Sequence, residues 1–168
     1  MTPSSGRIGI GIDVGGTNTK IAAATEAGKI LRELEIPTRP AQGPARFVRR
    51  VVSVLHLWES EMDLESSPVG VGLAGDVDSE RGALRAAPNL PGWKGFRFRL
   101  AFARSLKRAV VIDNDANMAA WGGFVVELGR RPKTVVAVTL GTGVGGGLIL
   151  GGKLHRGATG SAGEIGHG

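Results

Sequence analysis

The stretch IGIGIDVGGTNTK occupies residues 8–20 and decides how the chain begins to fold. Isoleucine alternates with glycine up to Asp13, a period of two that predicts a β-strand with one face small enough for another backbone to lie against it. The glycine pair that follows breaks this strand. Residues 19–24 and 30–37 predict two further strands, so the chain opens with an antiparallel three-stranded meander.

The turn after the first strand is a candidate anion-binding site. Gly15 and Gly16 allow main-chain N–H groups to point toward a phosphate, and Thr17 adds a hydroxyl. Asp13, at the strand end, can hold a hydrated Mg²⁺ beside phosphates, and Lys20 completes the set. The alternative is an ordinary hairpin turn, because Gly-Gly turns are common. The acid before the turn and the threonine after it favour the phosphate site.

The remainder of the first 130 residues alternates helical and strand patterns. Apolar residues near helical spacing predict helices, and short apolar runs predict buried strands. In chain order these are a helix over 45–62, a strand over 69–73, a helix over 100–107, a strand over 109–112 and a helix over 116–128 that ends at Gly129. Together with the opening meander, this order predicts a mixed sheet covered by helices, an α/β fold.

Three polar residues, Asp113, Asn114 and Asp115, follow the strand predicted over 109–112. A carboxylate at the carboxyl end of a strand in an α/β sheet lies where ligands bind, and the N-terminus of the next helix favours its ionised form. Asn114 or Asp115 alone would be enough to cap that helix. Because three such residues exceed what capping requires, the cluster favours a functional site.

A second glycine-rich turn lies between two apolar strand patterns at 134–140 and 146–150. It matches the dinucleotide pattern G-x-G-x-x-G, but that pattern must open a helix, and here a strand follows. What remains is a hairpin whose tip exposes main-chain N–H groups at Gly141, Thr142 and Gly143. Such a tip can face the first glycine turn as the second half of a phosphate clamp.

The same hairpin predicts a domain boundary. Strands this apolar normally have cover on both faces, and no helical pattern follows Leu150 to provide it. We therefore expect a first domain over residues 1–129 and the start of a second over residues 130–168, whose body is missing or supplied by another chain.

The glycine-rich tail carries Glu164 and His167. A glutamate and a histidine three residues apart can converge on hydroxyl groups or on a metal, although such a pair alone is more often part of a surface loop. His56, in a predicted helix, and His155, in a predicted turn, have no evident acid partner. No Ser-His-Asp set is predicted.

Composition excludes several classes of protein. The 168 residues are 42% hydrophobic and 21% charged, which is typical of a globular protein and excludes disorder and collagen. Because there is no cysteine, these residues form no disulfide and supply no thiolate, which fits a reducing, cytoplasmic setting. The net charge of +6 is spread over scattered arginines with few aromatic neighbours, so a nucleic-acid partner is not expected. No apolar run reaches the length of a membrane span.

Five motifs taken together resemble the ROK family (repressor, open reading frame, kinase), and within it the bacterial glucokinases. They are DVGGT at 13–17, APNLPGW at 87–93, NDAN at 114–117, LGTGVGGG at 140–147 and AGEIGH at 162–167. Their order and spacing follow the family from Ile8 to the last residue, so the resemblance covers nearly the whole chain.

The resemblance implies an actin-like, ribonuclease-H-like fold of two domains with sugar and ATP in the cleft between them. It implies phosphoryl transfer from ATP to the 6-hydroxyl of glucose, with Asp115 as the general base. Asn89, Asn114, Glu164 and His167 would bind the other hydroxyls of the sugar. The loops at 15–17 and 141–143 would flank the phosphates, with Asp13 near Mg²⁺.

Departures from the family leave alternatives open. Family members are about twice this length, as two domains require. The Cys-rich zinc motif of the family is absent, so no structural zinc is expected, and the seven residues before Ile8 leave no room for the DNA-binding domain of its repressors. Asp113 stands where the family usually has glutamate. The alternatives are a kinase for another hexose or N-acetylhexosamine, a non-catalytic sugar-binding half-kinase, and an inactive product that forms a homodimer through the 134–150 hairpin.

Overall fold

A computed structural model describes residues 6–140, 143–158, 160, 162, 163 and 165. The strands are β1 (Ile8–Val14), β2 (Asn18–Thr25), β3 (Ile30–Pro37), β4 (Val69–Leu73), β5 (Asp76–Asp78), β6 (Ala83–Ala86), β7 (Val110–Asn114), β8 (Thr134–Leu140), β9 (Val144–Leu150) and β10 (Lys153–His155). The helices are α1 (Pro44–Glu59), α2 (Phe98–Leu106) and α3 (Asp115–Val126), with a short 3₁₀ turn at Pro40–Gln42.

The central sheet has five strands in the order β3-β2-β1-β4-β7. The opening meander is antiparallel, whereas β4 and β7 run parallel to β1. The predicted α/β fold is therefore confirmed, with β1 at the junction between its antiparallel and parallel halves. The carboxyl ends of β1, β4 and β7 consequently lie at one edge of the sheet.

One face of this sheet carries the main hydrophobic core. Alternate residues of β1 point into it, and α1 and α2 cover it with large side chains that include Phe47, Trp58 and Phe102. Each of these three is at most 1% exposed. Burying an aromatic or aliphatic side chain of this size contributes roughly 1.5–3 kcal/mol, so this layer supplies most of the hydrophobic stabilisation of the sheet.

The opposite face of the sheet is built from very small residues, and α3 lies against it. A Cβ placed on Gly72 of β4 would be 3.2 Å from the Cα of Asp115. The glycine-rich face does pack closely against another backbone, as the sequence predicted. The contact is made at Gly72 of β4, however, and not at the glycines of β1. Gly9 and Gly11 have no atom within 4 Å of a built Cβ, because α3 begins directly after β7 and crosses β4 first.

A second sheet, in the order β10-β9-β8, packs on the other side of α3. A Cβ on Gly147 of β9 would overlap the Cβ of Ala120 of α3, so the two elements are in backbone contact. The predicted hairpin is confirmed, and α3 covers one of its faces. Val136 and Leu140 of β8 are 62% and 82% exposed on the other face. The domain boundary near residue 130 stays a prediction.

Several predicted boundaries were wrong by a few residues. The helix predicted over 116–128 begins at Asp115 and ends at Val126, and Gly129 adopts a left-handed conformation (φ 57°) three residues beyond that end. The hairpin β5-β6 and the strand β10, which contains His155, were not predicted. Each of these strands has only three or four residues, too few to show a period of two. In the described part of the chain, no helix is long and apolar enough to cross a membrane.

The contact between α3 and β9 makes a testable prediction. Gly147→Ala should destabilise the protein by about 1–3 kcal/mol, because the new methyl group must displace α3 from the second sheet. Gly122→Ala, on the exposed side of the same helix, should instead stabilise it by about 0.5–1 kcal/mol by raising helix propensity. Urea unfolding measures the change in the free energy of unfolding for each variant. The same change in both variants would contradict the close packing of α3 on β9.

Candidate active site

A cavity of about 540 Å³ is bordered by β1, β2 and β4 of the central sheet and by the start of α3. Its lining includes Asp13 from β1, Lys20 from β2, Asp115 at the start of α3 and Thr139 from β8. We refer to it as the carboxylate cavity. Asp13 and Lys20 of the first motif and Asp115 of another are thus brought to one site between the two sheets.

Asp13 and Lys20 lie directly opposite each other in the β1-β2 register. Burial raises the pKa of the Asp13 carboxyl above the ordinary value of 3.8, and the positive charge of Lys20 acts in the opposite direction. The balance is a raised pKa, so the cavity penalises an isolated negative charge at this position. A cationic ligand would remove that penalty.

A second cavity, of about 410 Å³, lies at the first glycine turn. It is lined by Gly15, Gly16, Thr17, Asn18 and Asn89, and we refer to it as the loop cavity. A Cβ on Gly16 would be 2.6 Å from the Cβ of Asn89, so glycine is needed for the two loops to meet. The glycine turn that is predicted to bind phosphate and Asn89, which is predicted to bind the sugar, therefore line the same cavity.

The Asn89 loop is fixed by the hydrophobic core. Leu90 and Trp93 are 1% and 0% exposed, and the Trp93 ring contacts Phe47 with centroids 5.0 Å apart. The indole Nε1–H donates to the carbonyl of Pro40 at 3.0 Å. These anchors immobilise the loop on both sides of its turn and so hold Asn89 against Gly16.

The glycine turn is fixed by a buried threonine, Thr38. Its hydroxyl donates to the carbonyl of Gly15 at 2.7 Å, and its N–H donates to the carbonyl of Thr17 at 2.7 Å. The hydroxyl of Thr19 lies 2.9 Å from that of Thr38 and must act as the donor, because the Thr38 proton is already used. The Arg50 guanidinium donates to the carbonyls of Pro37 and Thr38 and ties this set to α1.

Asp113, Asn114 and Asp115 have different roles. The capping alternative is confirmed for Asn114, whose Oδ1 accepts from the N–H of Asn117 at 3.1 Å while its Nδ2 donates to the carbonyl of Gly75. Asp113 is 2% exposed and points away from solvent. Asp115 lines the carboxylate cavity, and its Oδ1 accepts from the N–H of Ala116 at 2.9 Å. Of the two aspartates, Asp115 is therefore the one whose residue lines a cavity.

Four predicted site residues lie outside the described residues: Gly141, Thr142, Glu164 and His167. Gly143 is among the described residues and lies directly before β9. A Cβ placed on it would have no other atom within 4 Å. The second half of the phosphate clamp stays a prediction. Sequence reasoning missed Thr38 and Arg50 altogether, since a single threonine after a strand and one arginine within a helix carry no pattern. Only the register that pairs β2 with β3 brings Thr38 next to Thr19.

A sequence model of the ROK family matches residues 9–168. This chain belongs to the ROK family. Relatives include a glucokinase of Halalkalibacterium halodurans, 38% identical over 94% of this chain and 48% of that protein. An N-acetyl-D-glucosamine kinase of Aliivibrio salmonicida is 36% identical over 94% of this chain and 51% of its own length.

A solved structure of a ROK glucokinase from Streptomyces griseus, in complex with glucose and AMPPNP, superposes with a TM-score of 0.81 at 37% identity. The match covers 95% of this chain and 50% of that one. The fold is accordingly the actin-like fold of the ROK sugar kinases. The chain spans about half the length of the curated relatives it matches.

The buried threonine pair of this ROK chain makes a second prediction. Thr38→Val should lower the free energy of unfolding by about 1–3 kcal/mol, because it leaves the Thr19 hydroxyl and the Gly15 carbonyl without a partner. Thr38→Ser keeps the hydroxyl and should cost clearly less. Chemical denaturation measures the difference, and a loss in Thr38→Ser at least as large as that in Thr38→Val would contradict this role of the hydroxyl.

The raised pKa of Asp13 makes a third prediction, on pH dependence. A raised carboxyl pKa means that folding is opposed by the charged form, fully above the folded pKa and not at all below the unfolded value of 3.8. Asp13→Asn should therefore raise the melting temperature near pH 7 by about 1–2 °C, a small shift because the group is half-exposed. The gain should vanish as the pH falls toward 4. Melting curves from pH 4 to 8 check this, with Asp63→Asn, at an exposed position, as the matched control.

Proposed function

We propose that this chain forms the sugar- and phosphate-binding half of a ROK kinase that transfers the γ-phosphoryl group of ATP to the 6-hydroxyl of glucose. The observation that carries the proposal is the carboxylate cavity, in which Asp115 shares one space with Asp13 and Lys20. A base for the attacking hydroxyl and charged groups for the phosphates are the parts that phosphoryl transfer requires. Residues 1–129 form the first domain in this proposal, and residues 130–168 begin the second.

Asp115 is the general base in this proposal. Its carboxylate accepts the proton of the 6-hydroxyl as the oxygen attacks the γ-phosphorus, and the bond from phosphorus to the leaving ADP oxygen breaks. The position of Asp115 in the first turn of α3 favours its ionised form, because the N-terminus of a helix carries partial positive charge. Thr139 closes the same cavity from the second sheet.

Asp13 fits a role beside a hydrated magnesium ion. Among the described residues there is no cluster of three or more metal-ligating side chains, so the arrangement fits an ion held through water and phosphate better than a cage of protein ligands. Such an ion neutralises phosphate charge when bound. Asp13 would orient its water shell, and Lys20 and the N–H groups at Gly15, Gly16 and Thr17 would contact phosphate oxygens.

The sugar would be held by several hydroxyl partners. Asn89 lines the loop cavity, and Asn114 keeps acceptor and donor capacity beyond its capping bonds. Glu164 and His167 complete this set in the proposal, and residues 141–143 flank the phosphates from the second domain. Because an unpaired buried polar group is costly, such a set selects a polyol over water. The glucokinase relatives support glucose, and the N-acetyl-D-glucosamine kinase relative supports an N-acetylhexosamine as the second candidate.

Asp115→Asn tests the proposed base. The change keeps the size of the side chain and removes its proton affinity, so we expect glucose phosphorylation to fall roughly 100- to 10,000-fold while the calorimetric Kd for glucose changes far less. The measurements are ADP release in the presence of ATP and glucose, and calorimetry with each ligand. Asp63→Asn serves as the matched control with unchanged rate and affinity.

The outcomes separate the candidate functions. An Asp115→Asn variant with the parent rate would rule out the mechanism. A chain that binds glucose but has no affinity for ATP would instead be a sugar-binding half-kinase. Tighter binding of N-acetylglucosamine than of glucose would establish the second candidate, and a dimer in light scattering without sugar binding would favour the inactive product.

A further inference from the structure

One ion pair links the second sheet to the end of β7. Arg156 follows β10, and its Nε–H donates to Oδ2 of Asp113 at 2.7 Å. The carboxylate is 3% exposed and the arginine side chain 38%, so the pair is buried at the acid end and open at the other. The contact joins two segments that are 43 residues apart in the chain.

The other carboxylate oxygen of Asp113 organises the start of α3. Oδ1 accepts from the N–H of Asn114 at 2.8 Å and from Nδ2 of Asn117 at 3.0 Å. Asn114 and Asn117 flank Asp115 on the two sides of the first helical turn. A shift of the Asp113 carboxylate would therefore move the backbone of the first turn of α3, which contains Asp115.

Arg156 also makes a backbone contact with a residue shortly before Glu164 in the sequence. Its carbonyl accepts from the N–H of Ala162 at 3.1 Å, and Gly157 takes a left-handed conformation (φ 69°) that lets the chain turn back. Gly163 then lies against the backbone of Gly146 in β9. The arginine is thus fixed at the base of this loop while its side chain reaches the strand that precedes Asp115.

We infer that Arg156 is a positioning residue for the sugar. Through Asp113 it links the first turn of α3, which carries Asp115, to the loop segment that contains Ala162 and Gly163. The proposed function places Asp115 and the residues Glu164 and His167, which follow Gly163 in the sequence, around the same sugar. The inference rests on that proposed function. The glycine turn at the phosphates is held by a separate set of hydrogen bonds from Thr38 and Arg50, none of which involves Arg156 or Asp113 in the described structure. Arg156 should therefore affect sugar binding and leave nucleotide binding nearly unchanged.

Arg156→Met tests this role. The variant keeps an apolar stem and removes the donor, and we expect the Kd for glucose to rise about 10- to 100-fold, as small displacements of binding groups can cause. The Kd for ATP should stay within about twofold, because the two hydrogen-bond sets are independent. Calorimetry on the 168-residue chain gives both constants, and the melting temperature gives the stability. Arg156→Lys, which keeps the charge without the planar guanidinium, should recover part of the glucose affinity.

Two further variants identify the interaction. Asp113→Asn should weaken glucose binding to a similar degree, and the double variant Asp113→Asn with Arg156→Met should be no weaker than the worse single variant, since both remove one contact. Arg32→Met is the matched control. It removes an ion pair with Glu61 and the contact of Arg32 with the Trp58 ring, and it should lower the melting temperature without changing the glucose Kd.

The result that overturns the inference is a normal glucose Kd in Arg156→Met, even if the variant melts at a lower temperature. Equal losses of glucose and ATP affinity would also overturn it, because they indicate a general loss of folding. Absence of glucose and N-acetylglucosamine binding in the unchanged chain is a different result. It removes the proposed function itself, and with it this role.

Discussion

The placement of α3 between two sheets is the constraint on which the other features of the site depend. On one side the helix lies over Gly72 of β4, and on the other it contacts Gly147 of β9. Backbone contact on both sides requires residues without side chains at these positions. Because α3 starts immediately after β7, its first residue, Asp115, is held where the central sheet, the helix and the second sheet meet.

Much of this arrangement can be predicted from the sequence, because it is encoded locally. The alternating isoleucines of β1 define a strand, and the bounds of β3, β4 and β8 agree with the apolar patterns there. Asp13 could be singled out as an acid at the end of a strand pattern. Asp115 could be singled out only as one of three polar residues after another strand, and the resemblance to the family selected it among them. The glycine turn at residues 15 and 16 could also be predicted, because an acid precedes it and a threonine follows it.

The features that escaped prediction depend on contacts between distant segments. Thr38 acts on the glycine turn only because β2 and β3 are paired in a particular register. Arg156 reaches Asp113 only because a hairpin from the second sheet packs against the other side of α3. The cover of the second sheet was also misjudged, since α3 precedes that sheet in the chain and supplies one of its faces. None of these relations has a period or a spacing that a linear pattern can show.

The uncovered face of β8 has a consequence for the behaviour of the chain in solution. In the described structure β8 is an edge strand, and Val136, Val138 and Leu140 are all more than half exposed. An edge strand with free main-chain groups and an apolar surface is a template for intermolecular pairing and aggregation. The net charge of +6 opposes such association by mutual repulsion, which salt weakens. The exposed face of β8 and the basic surface of the chain therefore act in opposite directions on its colloidal stability.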